Sequence, residues 1–160
     1  MKTCRLLGVF ILCALCFSMG YAQNIDIKPY RQGDWAAVLQ SADGKPMAVH
    51  IWGVTCAPCM KEMPQWGKFL EKNKKDRAIF LQVDDVSLGM MNKMLMKAHL
   101  DHADNYYLVG SFDERLRYEI DPKWHGETPI TILIDADGKK SIETGPINFI
   151  QLARWFSEGS

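Results

Sequence analysis

The run Trp52-Gly53-Val54-Thr55-Cys56-Ala57-Pro58-Cys59 joins an apolar strand pattern, residues 47–52, to a helical pattern that follows. At the start of a helix, unpaired backbone N–H groups and the positive end of the helix dipole favour a thiolate. Cys56 is therefore the predicted nucleophile. Cys59 lies one turn later and is the predicted resolving cysteine, which attacks the mixed disulfide and releases the partner as a thiol.

The stretch after Cys59 has the spacing of an amphipathic helix, with Met63, Trp66 and Leu70 on one face. Pro58 has no N–H and a fixed φ, which suits the first helical turn and holds the two sulfurs at a defined spacing. Pro64 is expected to kink this helix rather than end it.

Redox exchange is favoured over three other uses of the cysteine pair. A structural disulfide across two intervening residues closes too small a loop to stabilise much. A zinc site needs two further ligands, and no second CxxC follows residue 22. Covalent haem attachment needs histidine after the second cysteine, where this chain has Met60.

Strand and helix patterns alternate along the chain and predict a single α/β domain without repeats. The helix at 35–40 is expected to be capped by Asp34. Asp137-Gly138 is typical of a hairpin turn. The predicted strands are 25–27, 47–52, 78–83, 106–109, 130–134 and 140–143, and the further predicted helices are 86–98, 111–119 and 149–156.

The first 22 residues have the pattern of a signal peptide. Lys2 and Arg5 precede an apolar run over residues 6–17, and small residues end the segment at Ala22. The run is shorter than the ~20 residues that span a bilayer, which disfavours a membrane anchor. Cleavage after Ala22 predicts a mature domain of residues 23–160 without a transmembrane span, exported to the periplasm or cell envelope, where disulfides persist.

Charge and composition exclude some partners. Acidic and basic residues balance at 19 each, so no basic field attracts nucleic acid. No cofactor or metal is expected from the motifs.

Several motifs together resemble the TlpA/ResA-like thiol-disulfide oxidoreductase branch of the thioredoxin superfamily. Cys59-Met60-Lys61-Glu62-Met63-Pro64 continues the CxxC as that family's C-x-x-C-x-x-E-x-P helix, with Trp52, Pro58, Glu62 and Pro64 as supporting positions. Thr128-Pro129, followed by an apolar strand and the hairpin turn, is similar to the family's cis-proline loop. One departure is Thr55, where many relatives have tryptophan.

This resemblance implies a thioredoxin-like α/β fold, with a central mixed β-sheet flanked by helices, an inserted helix after the second core strand and cis-Pro129 beside the cysteines. It also implies an exported disulfide reductase that acts on cysteine-containing proteins and takes electrons from a membrane thiol donor. Some members of the family serve cytochrome c maturation.

Three residues near the motifs are candidates for supporting roles. A cis bond before Pro129 would leave the Thr128 backbone free to pair with an extended substrate. His50, on the strand face of Trp52, is either a proton acceptor for Cys59 or a core histidine. Glu127 either raises the pKa of Cys56 by charge repulsion or is a solvated loop charge.

Reduction is the favoured direction, because Ala57 and Pro58 place no charge or histidine between the cysteines to over-stabilise the thiolate. An oxidase or isomerase on the same scaffold is the alternative. A Cu(I) metallochaperone is a second alternative, because thioether and imidazole ligands suit Cu(I), although a methionine stripe is more often core packing. The residues that suggest this copper alternative are Met90, Met91, Met94, Met96, His99 and His102.

Overall fold

The computed structural model describes residues 24–159, so the predicted signal peptide lies outside the described residues. One six-stranded sheet has the order β1-β4-β3-β2-β5-β6. The first four strands in this order are parallel, and β5 pairs antiparallel with both β2 and β6. The strands are β1 Ile27–Tyr30, β2 Met47–Trp52, β3 Arg77–Gln82, β4 Asp104–Leu108, β5 Ile130–Ile134 and β6 Lys140–Thr144.

Helices cover both faces of this mixed sheet. They are α1 Trp35–Gln40, α2 Ala57–Lys72, α3 Leu88–Lys97, α4 Glu114–Ile120 and α5 Phe149–Glu158. Side chains of α1 and α4 pack in one core layer, and those of α2, α3 and α5 pack in the other. The predicted α/β architecture is confirmed, and α3 is the helix inserted after β3, the second core strand.

Strand β2 serves both layers because successive side chains point to opposite faces. Val49 and Ile51 join the layer of α1 and α4, whereas Ala48 and Trp52 join the layer of α2. All six residues of β2 are buried, as in a central strand with both faces covered. His50 therefore faces α2 from within the sheet.

Helix α2 begins directly at the cysteine motif. Cys56 is its N-cap and Pro58 lies in its first turn. The helix runs through Pro64 to Lys72, so the prediction that Pro64 does not end it is confirmed. At Gly67, α2 comes so close to the end of α3 that an added Cβ would lie 1.8 Å from the carbonyl oxygen of Ala98.

The start of α1 differs from the prediction. The side chain of Asp34 makes no capping hydrogen bond to this helix and instead accepts from the N–H of Arg31. The carboxylate of Glu119, in α4, accepts from the N–H groups of Trp35 and Gly33, at 3.0 and 2.8 Å. Asp34 is the N-cap residue, as predicted, but its side chain does not cap the helix, because Glu119 already accepts from the N–H group of Trp35.

Candidate redox site

Cys56 and Cys59 form a disulfide, and the two sulfurs differ in exposure. Cys59 is fully buried, whereas Cys56 is partly exposed. The N–H of Cys59 donates to Sγ of Cys56 over 3.2 Å. This N–H belongs to the first turn of α2, and it faces the accessible sulfur. Such a donor stabilises negative charge on that sulfur when the disulfide is reduced.

The loop before β5 lies against the same sulfur. The Thr128-Pro129 peptide bond is cis. The carbonyl oxygen of Thr128 is 3.3 Å from Sγ of Cys56. In the disulfide this sulfur has no proton to donate, but a Cys56 thiol could donate to the carbonyl. Pro129 in turn accepts at its own carbonyl from the N–H of Gly145, which ties the loop to the end of β6.

Asp84, just after β3, is a site residue that the sequence analysis did not identify. Its carboxylate oxygen Oδ2 accepts from the backbone N–H of Thr55 at 2.9 Å and from the hydroxyl of Thr55 at 3.1 Å. The carboxylate also lies over Gly53, where an added Cβ would be 2.8 Å from both of its oxygens. Thr55, the residue directly before the nucleophile, is therefore held by a carboxylate.

Glu62 lies one helical turn after Cys59 and is only 2 % exposed. Its Oε1 accepts from the N–H of Ile147 at 2.7 Å. Burial raises the pKa of Glu62 to about 7, and the hydrogen bonds from the N–H of Ile147 and from the side chain of Trp66 oppose this shift. The sequence marked Glu62 as a motif position, and its burial makes it a titratable group near neutral pH beside the resolving cysteine.

His50 is fully buried below α2, with its ring against the rings of Trp66 and Phe80. Its Nδ1 is 3.1 Å from the hydroxyl oxygen of Thr131, the residue opposite it on β5. Burial lowers the pKa of His50 to about 3, which keeps the ring neutral at physiological pH. A group with this pKa takes up a proton only well below neutral pH, and the proton-acceptor role expected for His50 stays a prediction.

Glu127 and Trp124 make contacts within the loop that precedes Pro129. The carboxylate of Glu127 is exposed and accepts from the N–H of His125 in its own loop. Trp124 is buried against Phe112, and its indole N–H donates to the carbonyl of Glu127 at 2.9 Å. The contact of the Glu127 carboxylate lies within its own loop, and its predicted effect on Cys56 stays a prediction.

The methionines of α3 point to different environments. Met91 is buried in the core, Met94 is partly buried against it, and Met90 is 51 % exposed. Within residues 24–159, no group of three or more histidine, cysteine or acidic side chains is placed to hold a metal ion. No helix in the same range is long and apolar enough to cross a membrane.

The sheet, the CxxC at the start of α2 and the facing cis-proline define the class of thioredoxin-like proteins with a redox-type cysteine pair. The chain is similar to the ResA thiol-disulfide oxidoreductase of Bacillus thuringiensis (strain Al Hakam), with 26 % identity over 106 residues, which cover 63 % of this chain and 55 % of the relative. The chain thus spans about half the length of the curated relatives that it matches. No protein-family profile matches it.

Solved structures show the same fold. DsbF of Mycobacterium tuberculosis has a TM-score of 0.61 at 17 % identity, over 76 % of this chain and 85 % of that chain. A secreted disulfide oxidoreductase of the same organism has a TM-score of 0.59 at 18 % identity, over 74 % and 85 %. The predicted thioredoxin-like fold and the predicted resemblance to TlpA/ResA-like proteins are confirmed.

Proposed function

We propose that this chain is a protein thiol-disulfide oxidoreductase that exchanges electrons with cysteine-containing proteins through Cys56 and Cys59. The observation that carries the proposal is the unequal exposure of the two sulfurs at the start of α2. An accessible sulfur facing a helix-start N–H suits nucleophilic attack, and a buried neighbour suits intramolecular resolution. The curated relatives similar to it carry the same activity in their names.

The reduction of a partner disulfide follows two balanced steps. The thiolate of Cys56 attacks one sulfur of the partner, forms a mixed disulfide and releases the partner's other sulfur as a thiolate. Cys59 then loses its proton to the carboxylate of Glu62 and attacks Sγ of Cys56. The second step releases the partner's remaining sulfur as a thiolate and leaves the Cys56–Cys59 disulfide, so two electrons pass to the partner. The two released thiolates become thiols by taking up one proton from Glu62 and one from water.

The backbone of Thr128 is the proposed pairing site for the partner. Its carbonyl lies beside the accessible sulfur, and loops at this position can pair with an extended segment through main-chain hydrogen bonds. A partner strand held there brings its own cysteine against Cys56. Thr128 and Pro129 therefore belong to the proposed site together with the two cysteines.

Reduction is the proposed direction in the cell. The residues between the cysteines, Ala57 and Pro58, add no positive charge, and the carboxylate of Asp84 lies next to the motif. Both features avoid over-stabilising the Cys56 thiolate, which is the property that makes a dithiol an oxidant. Cytochrome c maturation is one pathway that such a reductase can serve.

Export is the proposed location, with cleavage after Ala22 and a membrane thiol protein as electron donor. The proposal rests on the signal-peptide pattern of residues 1–22, and one of the similar structures is described as secreted. Outside the cytosol no glutathione pool can be assumed, so a donor is required. Mass measurement of the chain from an envelope fraction, expected to begin at Gln23, tests this part.

Insulin reduction tests the proposed activity. With dithiothreitol as electron source, the chain is expected to accelerate the precipitation of reduced insulin chains. Cys56→Ser should abolish this acceleration, whereas Glu127→Gln, a change at the exposed loop charge, should not abolish it. A wild-type chain that leaves the rate at the background of dithiothreitol alone would contradict the proposal.

A further inference from the structure

Two buried polar atoms face each other below α2 without an ordinary hydrogen-bond partner. They are Nε2 of His50 and Oε2 of Glu62, which lie 3.9 Å apart. His50 is fully buried and Glu62 is 2 % exposed. The indole Nε1 of Trp66 is a third such atom, and its N–H also stabilises the Glu62 carboxylate. Unsatisfied buried polar atoms are costly, so the approach of His50 and Glu62 indicates a use.

The other side of the imidazole determines which nitrogen carries the proton. The hydroxyl of Thr131 is buried, and the hydrogen bond described for it joins it to Nδ1 of His50. A hydroxyl has a single proton to donate, and leaving it without an acceptor in the core is unfavourable. Thr131 therefore donates to Nδ1, and the neutral ring carries its proton on Nε2, toward Glu62.

Among residues 24–159, no other charged side chain is buried around Glu62. Ile147 donates a backbone N–H to the other carboxylate oxygen, Oε1. Phe80 of β3 and Trp66 of α2 pack against the His50 ring, and the neutral indole N–H of Trp66 is a further donor toward Glu62. Among residues 24–159, Glu62 is the only aspartate, glutamate, lysine or arginine that is buried. The described titratable groups that face this pocket are thus His50, Glu62 and the cysteine pair.

We propose that His50 is a positioning residue for Glu62: Thr131 fixes its tautomer, and its Nε2–H stabilises the carboxylate that receives the proton of Cys59. This inference rests on the proposed function for its role in catalysis. It assigns His50 a donor role in place of the proton-acceptor role expected from the sequence. Its consequence is that Glu62 is ready to accept a proton at a lower pH than it would be beside an apolar side chain.

The tautomer is measurable without any assay of disulfide exchange. Long-range ¹H–¹⁵N correlation spectra of the wild-type chain distinguish a protonated ring nitrogen from an unprotonated one. The expected result at neutral pH is a protonated Nε2 and an unprotonated Nδ1 on His50. A proton on Nδ1 would overturn the inference even if insulin reduction proceeds, so the two proposals fail separately.

The effect on Glu62 is measured with the aromatic disulfide dithiobis-nitrobenzoate and the reduced chain. Attack by Cys56 releases one thionitrobenzoate, and resolution by Cys59 releases the second. The pH midpoint of the second release is expected to rise by about one unit in His50→Leu, because a carboxylate loses a charge-assisted donor. His50→Gln, which keeps an N–H donor, should rescue most of the shift, and Thr131→Val should move the midpoint upward.

Two controls separate this effect from loose packing. Phe80→Leu changes a ring neighbour of His50 without removing a polar atom, and it should leave the midpoint in place. In a Glu62→Gln background, adding His50→Leu should cause no further shift. A midpoint that is the same in His50→Leu as in wild type, or a shift that persists in the Glu62→Gln background, would overturn the inference. If His50→Leu does not fold, Thr131→Val and the tautomer measurement still decide it.

Discussion

The carboxylate of Asp84 holds Thr55, the residue before the nucleophile, by two hydrogen bonds, one from the backbone N–H and one from the hydroxyl. This contact joins the end of β3 to the turn that leads into α2. It places a carboxylate against the residue directly before Cys56, near the helix start that otherwise favours a thiolate. The chain thus has a carboxylate clasp, formed by Asp84, on the residue that precedes the nucleophile.

Asp84→Asn is expected to lower the pKa of Cys56 in the reduced chain, because a neighbouring negative charge disfavours the thiolate. The shift should be about half a unit to one unit, since Asp84 is partly exposed. The ultraviolet absorbance of the thiolate against pH measures it. Asp85→Asn, a change at the exposed neighbouring carboxylate, is the matched control, and an equal shift in both variants would contradict a specific role of the clasp.

The two cysteines are expected to differ in trapping experiments. Cys59→Ser should accumulate a mixed disulfide between Cys56 and a partner protein, because the resolving sulfur is gone. Cys56→Ser should accumulate none, since Cys59 is fully buried. Non-reducing electrophoresis followed by mass spectrometry distinguishes the two, and equal trapping by both variants would contradict the assignment of roles.

Glu62→Gln is expected to stabilise the fold increasingly as the pH rises. Folding raises the pKa of Glu62 from 4.5 to about 7, so the carboxyl group loses its proton at a lower pH in the unfolded chain than in the folded chain. The folded state therefore loses stability as the pH rises from about 4.5 to about 7. Glutamine does not ionise and keeps an oxygen for the N–H of Ile147. Urea unfolding at pH 5 and pH 8 should show the advantage of the variant at pH 8, on the order of 1–3 kcal/mol.

His50→Gln should show the opposite dependence on pH. The pKa of His50 is lowered from 6.5 to about 3, so the unfolded chain binds this proton first as the pH falls. The wild type therefore loses stability as the pH falls below about 6.5, and the variant, which has no group to protonate at this position, does not lose this part of its stability. Acid unfolding curves measure the difference, and parallel curves for the two proteins would contradict a buried neutral histidine.

Gly67→Ala is expected to destabilise the fold by about 1–3 kcal/mol, a typical cost of overpacking. The added Cβ would lie 1.8 Å from the carbonyl oxygen of Ala98, so α2 and α3 must move apart. Gly89→Ala in α3 is the matched control, because nothing lies within 4 Å of its Cβ position. The control should be neutral or slightly stabilising, since alanine favours a helix. Urea midpoints compare the two.

Elements with strong local patterns were predicted closely. Strands β2 and β5 match their expected bounds because each is an apolar run with one polar residue, His50 in β2 and Thr131 in β5. Strand β1 begins at Ile27, two residues later than expected, because its start depends on its pairing with β4 and not on its own composition. Helix α4 begins at Glu114 because the side chain of Asp113 accepts from the N–H of Leu116, and 111–113 stay outside it.

Some site residues could be predicted from the sequence and others could not. The cysteine pair and the Thr128-Pro129 step are short motifs, so the sequence alone identified them. The clasp between Thr55 and Asp84 joins residues 29 positions apart. The facing atoms of His50 and Glu62 belong to a strand and a helix that meet only in the folded chain. Such contacts depend on tertiary packing and leave no periodic signal in the sequence.

The reduction potential of the Cys56/Cys59 pair tests the central claim most directly. It is obtained by equilibrating the chain without residues 1–22 against a dithiol buffer and counting free thiols. The account predicts a value below roughly −220 mV, that of a reductase supplied by a donor. A value near roughly −120 mV would make the chain an oxidant and contradict the proposed direction of electron flow.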